Sequence, residues 1–350
     1  MQTKSDVFRF LVEAGTAAPS ADNMQPWRFC IDGDDLVLLY DAARSGNAIF
    51  PFDHQATLLT MGGVIENLAQ ACKLLDLGLD LTPGVPGEAP FEFLRIHLSR
   101  QPEEIPPGPH PWVERHTNRL PFSREPLGTE IRKYLSGIAQ GAIGLQVIDT
   151  ASAIAGVARL VRTASQARFQ TREIHDWFAK SLRFSPAQVA SGNGLDVATF
   201  GLPPGGTILL RGITADWRYM QFFNLLGGYR FMSAVEALSV TKTGAVIALV
   251  GPDTNTATLA AGRLMQRAWI HLNAAGYGVQ PYYVISDQLV RLSQGRVPPR
   301  LENMVGDLKS EVAARFGIGP GQALYMLLRV GRPLATAKRS LRLRQEDPLM

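Results

Sequence analysis

The sequence predicts an α+β fold made of two fused halves whose long apolar helices pack against each other at the centre. Three observations lead there. The chain has 350 residues, more than one domain ordinarily holds, so two domains or one doubled unit is expected. Helix-like and strand-like segments occur in both halves. Residues 59–79 also resemble those 200 positions later: Leu59/Leu259, Gly62/Gly262 and Gly78/Gly278 coincide, and the apolar positions between them largely match. Each copy reads as a long, mostly apolar helix, a glycine stop and a later strand, which points to internal duplication. A helix apolar on most sides must be buried, and the natural partner of each copy is the other.

In chain order, residues 4–17 have the spacing of an amphipathic helix that ends before Pro19. WRFCI and LVLLY, flanking an Asp-Gly step at 32–33, form a hairpin signal. Residues 55–77 predict a long helix and 91–99 a strand. Five prolines in 101–112 exclude helix and sheet there and mark a linker. Beyond it come a helix near 129–139, a strand at 144–149, a helix near 151–180 and a Gly/Pro-rich stretch from 185 to 207. A helix over 218–238, a strand at 245–250, helices over 257–276 and 302–316, and a strand at 323–330 complete the chain. The expected units are 1–110, 111–335 with a possible lid at 176–207, and a basic tail, 336–350, read as solvated.

Composition excludes several classes. Hydrophobic residues make up 46% and charged residues 19%, ordinary values for a chain with a large core. The two cysteines, Cys30 and Cys72, have no metal-type spacing and are too few for a disulfide framework, which suits a reducing compartment. No stretch reaches the ~18 apolar residues of a membrane span, and charges interrupt the N-terminal segment, so the expected location is the cytoplasm. The six histidines show no HExxH or HxH pattern, so no metal is expected. No G-x-S-x-G elbow supports hydrolysis. The glycines at 317, 319 and 321 follow a helix rather than a strand, unlike a dinucleotide loop. A net charge of +4 favours anionic ligands only weakly, and neither nucleic acid nor membrane is an expected partner.

Two strings carry chemistry. APSADNMQPW at 18–27 is a rigid loop in which Pro19 and Pro26 fix φ, while Ser20, Asn23 and Gln25 offer donors and acceptors. Such a loop reads the edge of a flat heteroaromatic ring or serves as a structural turn, and both readings stay open. RHTNRLPF at 115–122 sets Arg115 and Arg119 four positions apart with Thr117 between them, a pattern suited to phosphate. Arg329 and Arg332 stand at the end of the last strand, where open sheets present ligand groups.

APSADNMQPWRF resembles the APSxxNxQPW signature of the nitroreductase superfamily, and RHTNRLPF resembles its phosphate-gripping arginine motif. WRFCIDGDDLVLLYD, WFAKSLRF, GNGLDVATFGLPP, AAGRLMQRAW and GYGVQP are similar to the Acg-like tandem branch of that superfamily. The resemblance implies a nitroreductase-like fold fused into a pseudo-dimer, with one flavin mononucleotide (FMN) between the halves. The proline-serine loop occurs only in the first half and the arginine motif only in the second, which leaves one composite pocket. By resemblance, Arg115, His116 and Thr117 hold the phosphate or ribityl chain, and Arg119 lies near the N1/O2 edge of the ring. Pro19, Ser20, Asn23 and Gln25 reach the flavin from the first half. Gln280 and Pro281 pack by the ring, and Arg329, with Arg332, completes the phosphate site. Ala21 departs from a frequent serine. The implied activity is an FMN-dependent oxidoreductase working in ping-pong fashion through flavin N5, with NAD(P)H as a possible reductant and a small-molecule acceptor. The alternative is a protein that sequesters FMN under a lid bearing Trp177, Phe178 and Phe184. A monomeric pseudo-dimer is expected, with further dimerisation open.

Overall fold

A computed structural model describes residues 3–45, 49–77, 80–83, 91–98, 104–139 and 141–344. The first helix, α1 (Lys4–Thr16), starts at a reciprocal cap in which Thr3 and Asp6 satisfy each other's backbone N–H. The hairpin β1 (Trp27–Asp32) and β2 (Asp35–Tyr40) follows, then the short α2 (Ala42–Ser45) and α3 (Gln55–Leu74). With β3 (Asp80–Pro83) and β4 (Glu92–His97) these strands make an antiparallel sheet in the order β1-β2-β4-β3. Val7, Leu11, Trp27, Leu36 and Leu68 form the core between this sheet and its helices.

Past α4 (Pro111–Glu114) and α5 (Thr129–Gly137), a second group of strands begins with β5 (Gly144–Ile148). Helices α6 (Ala151–Phe169) and α7 (Arg172–Ser181) lead to a small parallel pair, β6 (Leu182–Arg183) and β7 (Leu195–Asp196), with α8 (Pro186–Val189) between them. Three helices come next: α9 (Gly206–Ala215), α10 (Trp217–Leu225) and α11 (Gly228–Thr241). Then follow β8 (Ala245–Pro252), α12 (Asn255–Ala274), β9 (Gly278–Tyr282), α13 (Val284–Ser293), α14 (Glu302–Phe316) and β10 (Gln322–Gly331). The second antiparallel sheet has the order β5-β8-β10-β9. The fold is α+β, with α3 and α12 crossing between the two sheets' cores.

That crossing needs glycine on both sides. A Cβ on Gly62 would stand 2.1 Å from the Leu259 carbonyl oxygen, and one on Gly262 would stand 2.3 Å from that of Leu59. The contact is reciprocal, glycine of one helix against leucine backbone of the other. Close approach brings polar groups together as well. Gln266 Nε2 donates to Asn67 Oδ1 at 2.7 Å, and Arg267 grips the buried Glu66 carboxylate at 2.7 and 2.8 Å. The two matched glycines are therefore contact points. The third matched pair involves Gly78, which lies outside the described residues.

The structure corrects several boundaries. The helix expected over 151–180 breaks at Thr171, whose hydroxyl donates to the Ala167 carbonyl while its own backbone turns extended. The helix expected over 218–238 is two, because Gly227 adopts φ +85° and turns the chain. The Gly/Pro-rich stretch is not one long loop, since β6, β7, α8 and the start of α9 fall within or beside it. The proline-rich linker ends in α4, where Pro111 takes the first-turn position that spares its missing N–H. The solvated tail is also overturned: 338–343 lies along the molecule and bonds to its interior, as described below. Among the described residues no helix is long and apolar enough to cross a membrane.

Candidate functional site

The site is a cavity of about 620 Å³ where the loop after α1, the segment after α4, β9, the central helices and α7–α11 meet. Its size falls within the range of cofactor and ligand pockets. Pro19, Ser20, Asn23, Arg115, His116, Thr117, Arg119, Gln280 and Pro281 all line it, so residues far apart in the chain converge there. Gln25, Arg329 and Arg332 do not line it.

The loop at 18–27 is held in an unusual backbone. Asp22, Asn23 and Gln25 all have positive φ, at 48°, 57° and 55°, a region costly for residues with a Cβ. Compensating bonds explain how it persists. The Gln25 N–H donates to Ser20 Oγ at 3.0 Å. The fully buried Gln25 side chain donates to the Gly192 carbonyl at 2.9 Å and accepts from the Leu343 N–H at 3.1 Å. Asn23 Nδ2 donates to the carbonyls of Gly194 and Leu341, both at 3.0 Å, and its Oδ1 accepts from Arg342 at 2.6 Å. Asn23 and Gln25 therefore spend their amides on the chain itself, clamping 192–194 and the tail. The turn reading finds its place in these bonds. The amides make the turn, and Pro19, Ser20 and Asp22 face the cavity.

One end of the cavity concentrates positive charge. Arg115 lies 4.7 Å over the Trp269 ring and donates to the Ala17 carbonyl at 3.0 Å. Arg342, from the tail, donates to the same carbonyl at 3.3 Å. Neither guanidinium has a carboxylate partner among the described residues, and Arg115 Nε has no partner at all. Burial, reinforced by Arg342 and Arg339, holds the Arg115 pKa far below its ordinary value. Burial brings Arg342 down to about 10. Two adjacent desolvated cations without a counter-charge are costly by themselves, a cost that an anion would offset. Thr117 and Ser340 line the same cavity. Arg339 is already paired with Glu114 at 2.6 Å.

The rest of the lining is mixed. Arg119 donates to Thr199 Oγ1 at 3.1 Å and lies over the Phe200 ring. Trp177 Nε1 donates to Asp22 Oδ2 at 2.7 Å, tying α7 to the loop. Burial is the main influence on the Asp22 carboxyl and pushes its pKa up, against the pull of Trp177, Arg119 and Arg168. Asp287, also on the cavity, is raised by burial in the same way. Arg168 and Glu236 form an ion pair on the wall, with Ser165 donating to the same carboxylate. Phe178, Leu210, Ile213, Met220 and Met232 supply apolar lining.

Arg329 is buried one layer out. It donates to Gln280 Oε1 at 2.6 Å and to the Leu120 carbonyl, and stacks on Phe122. Its reach follows from register, since Arg329 and Gln280 are cross-strand partners on β10 and β9. It thus orients Gln280, which does face the cavity. Arg332 is exposed and packs on Tyr277. Of the aromatic residues expected in a lid, Trp177 and Phe178 line the cavity. Phe184 packs instead with the α7–α11 cluster, under Arg211. Sequence reasoning missed Arg342, Ser340, Arg168 and Asp287. The run KRSLRLR was visible, but nothing local says that one of its arginines turns inward. Among the described residues no cluster of three or more His, Cys, Asp or Glu is disposed to hold a metal.

No protein-family model matches the chain, and no curated protein does. Among solved structures it is similar to an FMN- and NADPH-dependent nitroreductase from Sphigopyxis sp. strain HMH, at 18% identity and a TM-score of 0.33. That likeness covers 64% of this chain and 87% of the other. It is similar to an FMN-dependent nitroreductase from Mycobacterium smegmatis in complex with NADPH, at 16% identity and 0.33, covering 64% and 86%. A nitroreductase with bound FMN from Bacteroides fragilis NCTC 9343 gives 7% identity and 0.34, covering 66% and 94%.

Proposed function

We propose that the chain holds one FMN in this cavity and acts as an oxidoreductase of nitroreductase type. The observation that carries the reading is the pair Arg115 and Arg342, sharing the Ala17 carbonyl at one end of the cavity with no carboxylate beside them. A phosphate monoester supplies the missing charge and an acceptor for Arg115 Nε. Thr117, His116 and Ser340 would complete that end, while Pro19, Ser20, Arg119, Gln280 and Pro281 would border the ring. Bound there, FMN would supply two-electron redox chemistry of ping-pong type between a donor such as NAD(P)H and a small-molecule acceptor.

The protein's own part is positioning, charge and protons. Arg119 places a cation on the ring side of the cavity, where it would favour negative charge. Asp22, oriented by Trp177 and with its carboxyl pKa pushed up by burial, would present a carboxyl able to take up a proton at the cavity wall. The apolar side chains from α7 to α11 limit water. The division into halves 1–110 and 111–335 belongs to this proposal, as do descent from a duplicated unit, the Acg-like branch and a cytoplasmic setting. The two separate four-stranded sheets and the reciprocal α3–α12 contact support the first two. Two free thiols, one buried and one half-buried, support the last.

A second reading, FMN sequestration without turnover, is favoured by one contact. The Trp177–Asp22 hydrogen bond closes α7 over the loop and would keep a nicotinamide from stacking. Mixing purified protein with FMN and then with NADH or NADPH, while following the oxidised-flavin band near ~450 nm, decides between them. Bleaching supports the enzyme. Reduction by dithionite alone supports sequestration, and failure to bind FMN refutes both.

A further inference from the structure

Ten of the fourteen large apolar side chains exposed among the described residues lie between positions 202 and 238. They stand on α9, α10, α11 and the loop before them. The most exposed are Leu225 at 84%, Ile208 at 79% and Leu226 at 73%, followed by Phe222, Tyr219 and Phe231. Helix α10 packs against both α9 and α11, so the three form one surface. Its apolar area is on the order of 1,000 Å². The largest patch on an ordinary monomer is about 300–600 Å², whereas each partner of a standard protein interface buries roughly 800 Å². The patch exceeds the first and meets the second.

Its chemistry identifies the occupant. Only five charged residues fall in 202–238, none of them lysine: Arg211, Asp216, Arg218, Arg230 and Glu236. All are engaged within the chain. Arg211 lies over Phe184, Arg230 over Tyr229, Asp216 pairs with Arg218, and Glu236 turns inward to Arg168. A membrane-docking face needs cations free to meet anionic headgroups. A face rich in aromatic residues and arginine, and poor in lysine and acids, has the composition of a protein interface core. Both acids of the surface are met within the chain, Asp216 by Arg218 and Glu236 by Arg168, so neither faces a second copy unpaired.

We propose that this surface is the interface of a homodimer, α9–α11 of one copy against α9–α11 of another about a two-fold axis. The interface bears on the cavity. Leu202 and Val235 belong both to the exposed patch and to the cavity lining, so the cavity opens onto this face. A partner seated there covers the mouth, and exchange of whatever the cavity holds is slowed by association. The inference is independent of what that ligand is.

Sedimentation equilibrium of the full chain at ~1–100 μM is the test. Wild type is expected at twice the chain mass. The double variant Leu225→Glu/Leu226→Glu and, on another helix, Phe231→Glu are each expected at the monomer mass with an unchanged far-UV spectrum. In the same dimer, Val235→Cys resists a polar maleimide, and adding the two glutamates makes it reactive. A monomeric wild type at the highest concentration overturns the proposal, as does a monomer that co-sediments with anionic phosphatidylserine vesicles. A dimer that survives both charge variants overturns it too.

Discussion

Replacing Arg342 with alanine tests the phosphate site where structure and ligand pull in opposite directions. Burial lowers the guanidinium from its ordinary 12.5 to about 10, a bias of roughly 3 kcal/mol against the charged form. The side chain recovers at least a comparable amount through Asn23 Oδ1 and the Ala17 carbonyl, bonds from a charged donor worth about 1.5–3 kcal/mol each. The two effects nearly cancel, so the ligand-free variant should melt within a few degrees of wild type. With a phosphate bound the balance changes. Loss of one charge-assisted contact removes about 1.5–3 kcal/mol, which is a roughly 10- to 150-fold weaker dissociation constant. Titrating the protein into FMN and into riboflavin, followed by quenching of flavin fluorescence, separates phosphate from ring. The variant should lose affinity for FMN and bind riboflavin, which lacks the phosphate, as wild type does. Equal losses for both ligands would mean that Arg342 merely braces the 18–27 loop. No loss for either would refute the phosphate assignment.

Other expectations follow from single contacts. Gly62→Ala places a Cβ 2.1 Å from a backbone oxygen of α12, and overpacking against backbone costs about 3 kcal/mol or more; urea unfolding should show it, and an unchanged midpoint would contradict the close crossing. Asp22 has a raised folded pKa, so its contribution is fully present below its unfolded value of 3.8 and is lost as pH rises through the folded value. Asp22→Asn keeps an acceptor for Trp177 and removes that loss, so its melting temperature should gain on wild type between pH 4 and 7; a constant difference would show that Asp22 is ionised throughout. Burial, with Arg296 and Arg291 nearby, lowers His54 to about 4, and its neutral Nδ1 caps α3 by accepting from the Ala56 N–H at 3.1 Å. Its contribution should therefore fade as pH falls from 6.5 toward 4 in wild type and be missing in His54→Ala, as thermal melts across that range would reveal. Trp177→Phe keeps an apolar ring and deletes the bond to Asp22, so flavin release measured by dilution should quicken several-fold; an unchanged rate would free α7 from any role as a cover.

Much of the scaffold was legible because it is written locally. The hairpin at 27–40 follows from alternating apolar runs around an Asp-Gly step. The central helices follow from glycine and leucine positions repeated 200 residues apart. Seven expected residues of the two short strings, with Gln280 and Pro281 from a third segment, line one cavity, because each segment sits on a connection beside a helix or strand end. What escaped was written at a distance. Gln25 looks like a ligand group, yet its amide is consumed by Gly192 and Leu343, partners far along the chain. Arg342 looks like a tail residue until Asn23 is seen to accept from it. Arg329 carries the right chemistry but lies one strand out of reach, and only the β9–β10 register reveals that. The breaks at Thr171 and Gly227 were missed because apolar periodicity continues across them while the backbone turns.

The reciprocal contact of Gly62 with Leu259 and Gly262 with Leu59 has a consequence for how such a molecule changes over time. Between identical subunits one codon writes both sides of a two-fold contact, so a substitution near the axis always arrives twice. Here the two sides are separate positions in one gene. A residue flanking Gly62 is free to change while its counterpart near Gly262 stays fixed, provided both glycines remain. The two sides of the contact are free to differ, and on one of them Leu59, Thr60, Met265 and Trp269 line the cavity. Selection there can sharpen a ligand site without imposing the same chemistry on the far side of the molecule.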